Sequence, residues 1–141
     1  MALKTYSGSC HCGAVRFQAD LDLAAGTMRC NCSLCSKARA WFAFARGAER
    51  FRLGAGADAL SEYRWTPAGR PHPGLTYAFC KHCGIRAFAR GELESLGGTF
   101  HAVPIAVLDD VPAAEHAEVP IRFVDGKSGD YDHPPQDTRW L

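Results

Sequence analysis

Three thiols within six residues, at Cys30-Asn31-Cys32-Ser33-Leu34-Cys35, constrain this chain more than any other stretch of it. No packing or turn requirement asks for that spacing, whereas metal ligation does. Two further pairs, Cys10-His11-Cys12 and Cys80-Lys81-His82-Cys83, flank it, so all 7 cysteines fall into three tight clusters. An odd number of clustered cysteines suits metal ligands far better than a disulfide framework.

The compartment points the same way. The N-terminus, Met1-Ala2-Leu3-Lys4-Thr5-Tyr6, shows no basic segment followed by an apolar run and a small-residue cleavage site, and no apolar stretch reaches bilayer length. A cytoplasmic location is expected, with no membrane partner, and thiols there stay reduced. A formal net charge of +1 gives no global field to gather nucleic acid, which is not expected as a partner. Any charged ligand must then be held by local groups. At 141 residues, with 47% hydrophobic and 22% charged side chains, residues 1–141 are expected to form one soluble globular domain with a core of its own.

Hydrophobic alternation predicts many short strands. Val15, Phe17 and Ala19 alternate with Arg16, Gln18 and Asp20 immediately after the first cysteine pair. Thr27-Met28-Arg29 reads as a short strand delivering the triple cluster, Ser33 to Ala38 as a helical turn, and Trp41 to Ala45 as a buried strand. Phe51-Leu53 and Leu60-Trp65 read as two strands joined by a glycine-rich turn at Gly54-Ala55-Gly56. Thr66 to Gly74, with three prolines and two glycines, is a loop that either forms a wall of a binding cleft or is a plain solvated connection. Leu75–Phe79 and Ile85–Arg90 flank the second cysteine pair as strands, and Thr99 to Val107 continues in strand composition until Pro104 interrupts it. A short helix within 109–118, a last strand over 121–124 and a mostly irregular, polar tail over 125–141 complete the reading. The class is all-β, or β-rich, built of short strands with little helix.

Cys10-x-Cys12-Gly13 and Cys80-x-x-Cys83-Gly84 share one form: two cysteines, a glycine, then an alternating strand. A glycine there can take the positive φ that turns the chain back after both sulfurs are presented, as in a zinc knuckle. Paired, Cys10, Cys12, Cys80 and Cys83 supply the closed tetrahedral set of a structural zinc. Cys30, Cys32 and Cys35 remain with three sulfurs, and a vacant fourth position is what distinguishes a catalytic zinc. Thiolate-rich sites carry net negative charge, so the cations Arg29, Lys37, Arg39, Lys81 and Arg86 are expected to serve the sites or the carboxylates of a small anionic thiol. His11 and His82 lie inside clusters that already have enough sulfur. His72, His101 and His133 are candidates for a cleft that the sequence does not place. No Gly-x-Ser-x-Gly, phosphate loop or dinucleotide fingerprint competes with the cysteines.

Three blocks, Gly8-Ser9-Cys10-His11-Cys12-Gly13-Ala14-Val15-Arg16-Phe17, Cys30-Asn31-Cys32-Ser33-Leu34-Cys35 and Phe79-Cys80-Lys81-His82-Cys83-Gly84, resemble in order the signature of the glutathione-dependent formaldehyde-activating enzymes, a family that also includes centromere protein V. The ending, Pro120 to Lys127 and Thr138 to Leu141, resembles that of one bacterial branch. The resemblance implies a β-tent fold of short antiparallel strands with two zinc ions per chain. Cys10, Cys12, Cys80 and Cys83 would hold the structural ion, and Cys30, Cys32 and Cys35 the labile, catalytic one. It also implies a carbon–sulfur lyase acting on glutathione or a related small thiol, as in the reversible formation of S-hydroxymethylglutathione. Asn31 stands where the family often has His, and Ser36 and Ala40 where Arg and Gly are usual.

Two readings of other classes stand beside the lyase. One is a non-catalytic zinc module that binds a protein or nucleic acid, and the other is a redox thiol enzyme using Cys30, Cys32 or Cys35. Oligomeric state is not set by the sequence.

Overall fold

The computed structural model describes residues 2–70, 74–139 and 141. Pro71, His72 and Pro73 of the expected loop, and Trp140 of the tail, lie outside the described residues. The strands gather into two sheets. The smaller joins β1 (Lys4–Ser9), β2 (Arg16–Leu21) and β5 (Phe51–Ala55) in the order β1-β2-β5, with antiparallel pairing throughout.

The larger sheet has seven strands. They are β3 (Thr27–Cys30), β4 (Trp41–Arg46), β6 (Leu60–Arg64), β7 (Thr76–Cys80), β8 (Arg86–Leu93), β9 (Gly98–Pro104) and β10 (Ile121–Val124), arranged β10-β3-β4-β9-β8-β7-β6. Two helices of six residues, α1 (Ser33–Ala38) and α2 (Ala113–Glu118), are the α-helices among the described residues. The protein is therefore β-rich with little helix, as its alternation predicts.

Alternation along each strand decides what is buried where. On β2 the inward residues are Phe17, Ala19 and Leu21, while Arg16 and Gln18 face water. On β4, Ala43 and Ala45 turn toward the smaller sheet and Phe42 toward the opposite face of the larger one. The space between the sheets is filled by an aromatic stack. Phe51 lies 5.0 Å from Phe17 and 4.5 Å from Phe88, ring centre to ring centre, and 4.1 Å from His101 in parallel. Leu21, Leu23, Val15 and Val103 are fully buried there, each contributing about 1.5–3 kcal/mol of hydrophobic stabilisation. The segment carrying α2 is clamped to β1, where Lys4 and Tyr6 both meet the Glu115 carboxylate.

Two features depart from the sequence reading. β10 runs parallel to β3, with Val124 opposite Cys30, so the sheet is not antiparallel throughout. A parallel partner needs a long return path, and no local pattern encodes a pairing across that distance. Second, β5 continues through Gly54 and Ala55, and the connection to β6 crosses from the smaller sheet to the larger instead of making a hairpin. Leu53, where the expected strand ends, stands opposite Phe17 of β2 and is exposed on β5.

Candidate metal centre

The two cysteine pairs converge as their shared form suggests. The backbone of each pair folds alike. The Cys10 amide donates to the Val15 carbonyl at 3.1 Å and the Cys80 amide to that of Ile85 at 2.9 Å, while the Gly13 and Gly84 amides return to the carbonyls of Cys10 and Cys80. Both glycines sit at positive φ, +82° and +77°, a region other residues enter at a cost of about 1 kcal/mol or more. The turn therefore requires glycine, and it aims both sulfurs of each pair at one point. The Cys12 sulfur lies 3.7 Å from those of Cys10 and Cys80, and all four sulfurs fall within 4.8 Å of one another. Cys80 and Cys10 are buried at the end of the inter-sheet core, Cys83 is half-buried, and Cys12 faces water. The Val15 amide donates to the Cys10 sulfur at 3.3 Å, and the Cys12 amide draws the Cys83 thiol down to about 6. Four sulfurs with amide donors behind them fit a tetrahedral metal ion such as zinc. His11 and His82 are exposed and belong to neither group.

Cys30, Cys32 and Cys35 form a second group, with sulfurs again within 4.8 Å, on the other face of the larger sheet. β3 delivers Cys30. Cys32 then caps α1 with its own sulfur, which accepts from the Cys35 amide at 3.4 Å, and its amide donates to the Cys30 sulfur at 3.4 Å. One helical turn thus folds all three thiols inward. The contacts with Cys30 and Cys35 hold the Cys32 thiol low, the contact with Cys32 pushes Cys30 up, and the contacts with Cys30 and Cys32 push Cys35 up. Among the described residues no fourth Cys, His, Asp or Glu joins them. Three sulfurs could hold a metal while leaving one position for a ligand from solution.

What lies above this group is a wall the sequence did not show. After β10 the chain turns over the thiols, and Gly126 comes so close that a Cβ there would overlap the Cys30 sulfur. Asn31 fixes the approach. Its side-chain amide donates to Asp125 at 2.8 Å and its carbonyl oxygen accepts from the Lys127 amide at 2.9 Å. Asp125, its carboxyl held below the usual range by Asn31 and Ser128, also donates its amide to the carbonyls of Asp130 and His133. The described tail, mostly irregular apart from one 3-10 turn at Gly126–Ser128, therefore folds back as a flap. Asn31, singled out in the sequence only as a departure from a pattern, is its anchor.

The flap and α1 border an open cleft of ≈ 1920 Å³ with the three cysteines in its lining. Trp65, Pro67, Ala68 and Arg70 form another side, so the described part of the proline-rich loop is a wall. Tyr77, buried beside Cys35, keeps its proton because burial pushes its hydroxyl well above the usual range. Of the expected cations, Lys37 and Arg39 line the cleft and Lys81 does not. Arg29 instead stacks on Trp41 at 4.9 Å and Arg86 on Tyr77 at 4.4 Å. Arg46, Arg70, Arg122 and Lys127 join the lining from other elements, beyond what proximity in sequence could reveal. His101 lies between the sheets, and His133 bonds Asp130.

A crystal structure of a Rhodobacter sphaeroides protein, solved as a structural-genomics target, is similar over 82% of this chain and 99% of that one, at 31% identity and a TM-score of 0.63. The family model described as glutathione-dependent formaldehyde-activating enzyme matches residues 5–123, which span both cysteine centres and end just before the flap. The chain belongs to the glutathione-dependent formaldehyde-activating enzyme family.

Proposed function

We propose that this chain, acting as a single domain in the cytoplasm, is a zinc-dependent carbon–sulfur lyase for adducts of glutathione or a related small thiol. In this reading Cys10, Cys12, Cys80 and Cys83 hold a structural zinc, and Cys30, Cys32 and Cys35 hold the catalytic one. One observation carries it: two sulfur groups of the same fold differ in ligand number, and the group of three opens onto a cleft. A zinc ion in the open group would supply Lewis acidity, keeping an entering thiol as its thiolate near neutral pH.

The protein's own residues orient and enclose. Lys37 and Lys127, on opposite sides of the three sulfurs in sequence and both in the cleft lining, suit the carboxylates of an anionic thiol. Tyr77 offers a neutral hydroxyl beside Cys35. The flap over Cys30 and the apolar cluster of Phe42, Ala89, Ala102 and Val124 beneath limit water around the sulfurs. In the addition direction the thiol S–H is consumed, an S–C bond forms to the aldehyde carbon and the carbonyl oxygen takes the proton. The lyase direction reverses each change.

The test follows S-hydroxymethylglutathione by NMR as formaldehyde and glutathione equilibrate with zinc-loaded protein. Equilibration faster than the spontaneous rate, abolished in Cys35→Ser, supports the reading. An unchanged rate together with no glutathione binding contradicts it.

A further inference from the structure

The cleft extends well beyond the three thiols. β4 places Phe42, Phe44 and Arg46 in its lining on one face of the strand. The strand starts beside the thiols, because β3 pairs Met28 with Phe42 and Arg29 with Trp41 and then reaches Cys30. At roughly 3.4 Å per residue the row from position 42 to position 46 covers about 14 Å, leading away from the sulfurs to a cation. Its floor is apolar. Phe44 meets Phe100 edge to face at 5.8 Å, Phe44, Leu75 and Leu96 are only half-buried, and Leu93 is 52% exposed. Apolar side chains left facing water in a concave site mark where a ligand covers them.

The rim has the opposite character. Lys37, Arg46 and Lys127 line the cleft, and none is in an ion pair among the described residues, whereas Lys4, Arg50, Arg52 and Arg90 are paired elsewhere and Arg139 pairs with Asp137 of the lining. Cations set around an apolar trough complement an anion that carries an apolar group. A hydroxymethyl group on glutathione would satisfy the cations and leave the trough wet.

Building on the proposed thiol-adduct site, we propose that its substrate is an anionic thiol adduct whose carbonyl-derived part is apolar and at least the size of a phenyl ring. The carboxylates lie toward Lys37 and Lys127, and the apolar group lies along Phe44 and Leu75 toward Arg46.

Calorimetric titration of the zinc-loaded full chain with two unreactive thioethers, S-benzylglutathione and S-methylglutathione, tests this. The benzyl compound is expected to bind at least about tenfold tighter, the effect of covering roughly a phenyl's worth of apolar surface. Phe44→Ser should cut that ratio to below about threefold, and Leu96→Ser, at the less buried edge, should reduce it as well. Equal affinities in the wild-type protein overturn the inference while leaving the thiol site standing. Binding of neither compound overturns the glutathione reading instead. The pair N-acetyl-S-benzylcysteine and N-acetyl-S-methylcysteine then decides the apolar preference by the same tenfold criterion, with no binding of either overturning the inference too.

Discussion

The four-cysteine and three-cysteine centres use the same ligand atom but are built in different ways. The first is assembled from two copies of one turn, each complete within six residues from its first cysteine to the carbonyl that receives its amide, and it closes the end of the inter-sheet core. The second takes its sulfurs from a single run, but its surroundings come from everywhere: β4 beneath, Trp65, Pro67, Ala68 and Arg70 beside, and a flap more than 90 residues later above. A centre made of repeated local turns fixes structure. One whose walls are borrowed from distant elements leaves room for a ligand and makes its environment depend on the whole fold.

The contrast can be broken most severely by removing one sulfur from each. Cys80→Ser, at a fully buried position, should destabilise the protein by more than about 5 kcal/mol, enough to prevent folding at ordinary temperature, since structural zinc binding is itself folding energy. Cys35→Ser should leave a folded protein with circular dichroism near that of wild type. A soluble, folded Cys80→Ser protein would remove the distinction between the two centres.

The flap offers a milder test. Gly126→Val puts a side chain where the Cys30 sulfur lies and should lower zinc affinity at the open centre by at least about a hundredfold while the closed centre keeps its ion. Asn31→Ala removes the two side-chain hydrogen bonds from position 31 to the flap, and about a tenfold loss of zinc affinity at that centre alone is expected. Competition with a chromogenic chelator measures both. Equal weakening of the two centres would show that the flap acts on overall stability and not on the three sulfurs.

How much of this was legible beforehand follows the same divide. The glycines after Cys12 and Cys83 signalled their turns because positive φ leaves a local mark, and the alternation of Phe17, Ala19 and Leu21 announced its own strand. The flap left no such mark. Its ties to the site span the chain: Asn31 bonds Asp125 and the amide of Lys127, Arg39 donates to the Arg139 carbonyl, Arg70 lies over the Tyr131 ring, and β10 pairs in parallel with β3. The cations behaved alike. Lys37 on α1 and Arg39 at its end are legible because they follow the thiols directly in sequence, whereas Arg46 and Arg122 reach the cleft only through sheet order.

A last effect, of similar size to that of Asn31→Ala, concerns the core that the closed centre caps. His101 stacks on Phe51 with its Nδ1 buried and without a partner, and burial, helped by the Arg90 charge, lowers it to about 4 from the ordinary 6.5. Because the folded value is depressed, the unfolded chain binds the extra proton between pH 6.5 and 4, and stability falls as pH falls through that window. His101→Phe keeps the stack and removes the titration. Its advantage over wild type should grow by about 1–2 kcal/mol from pH 7 to 4, an amount reduced by the partial solvent access of the ring. Parallel urea unfolding of the two proteins checks this, and a constant difference would contradict it.

Zinc per chain tests the central claim most directly, counted in full-length protein purified without chelator and in Cys35→Ser prepared alongside it. Two ions in the wild type and one in the folded variant are predicted, with the wild type's second ion leaving first under a graded chelator. One ion in both proteins, or two in both, would contradict the division into a closed and an open centre.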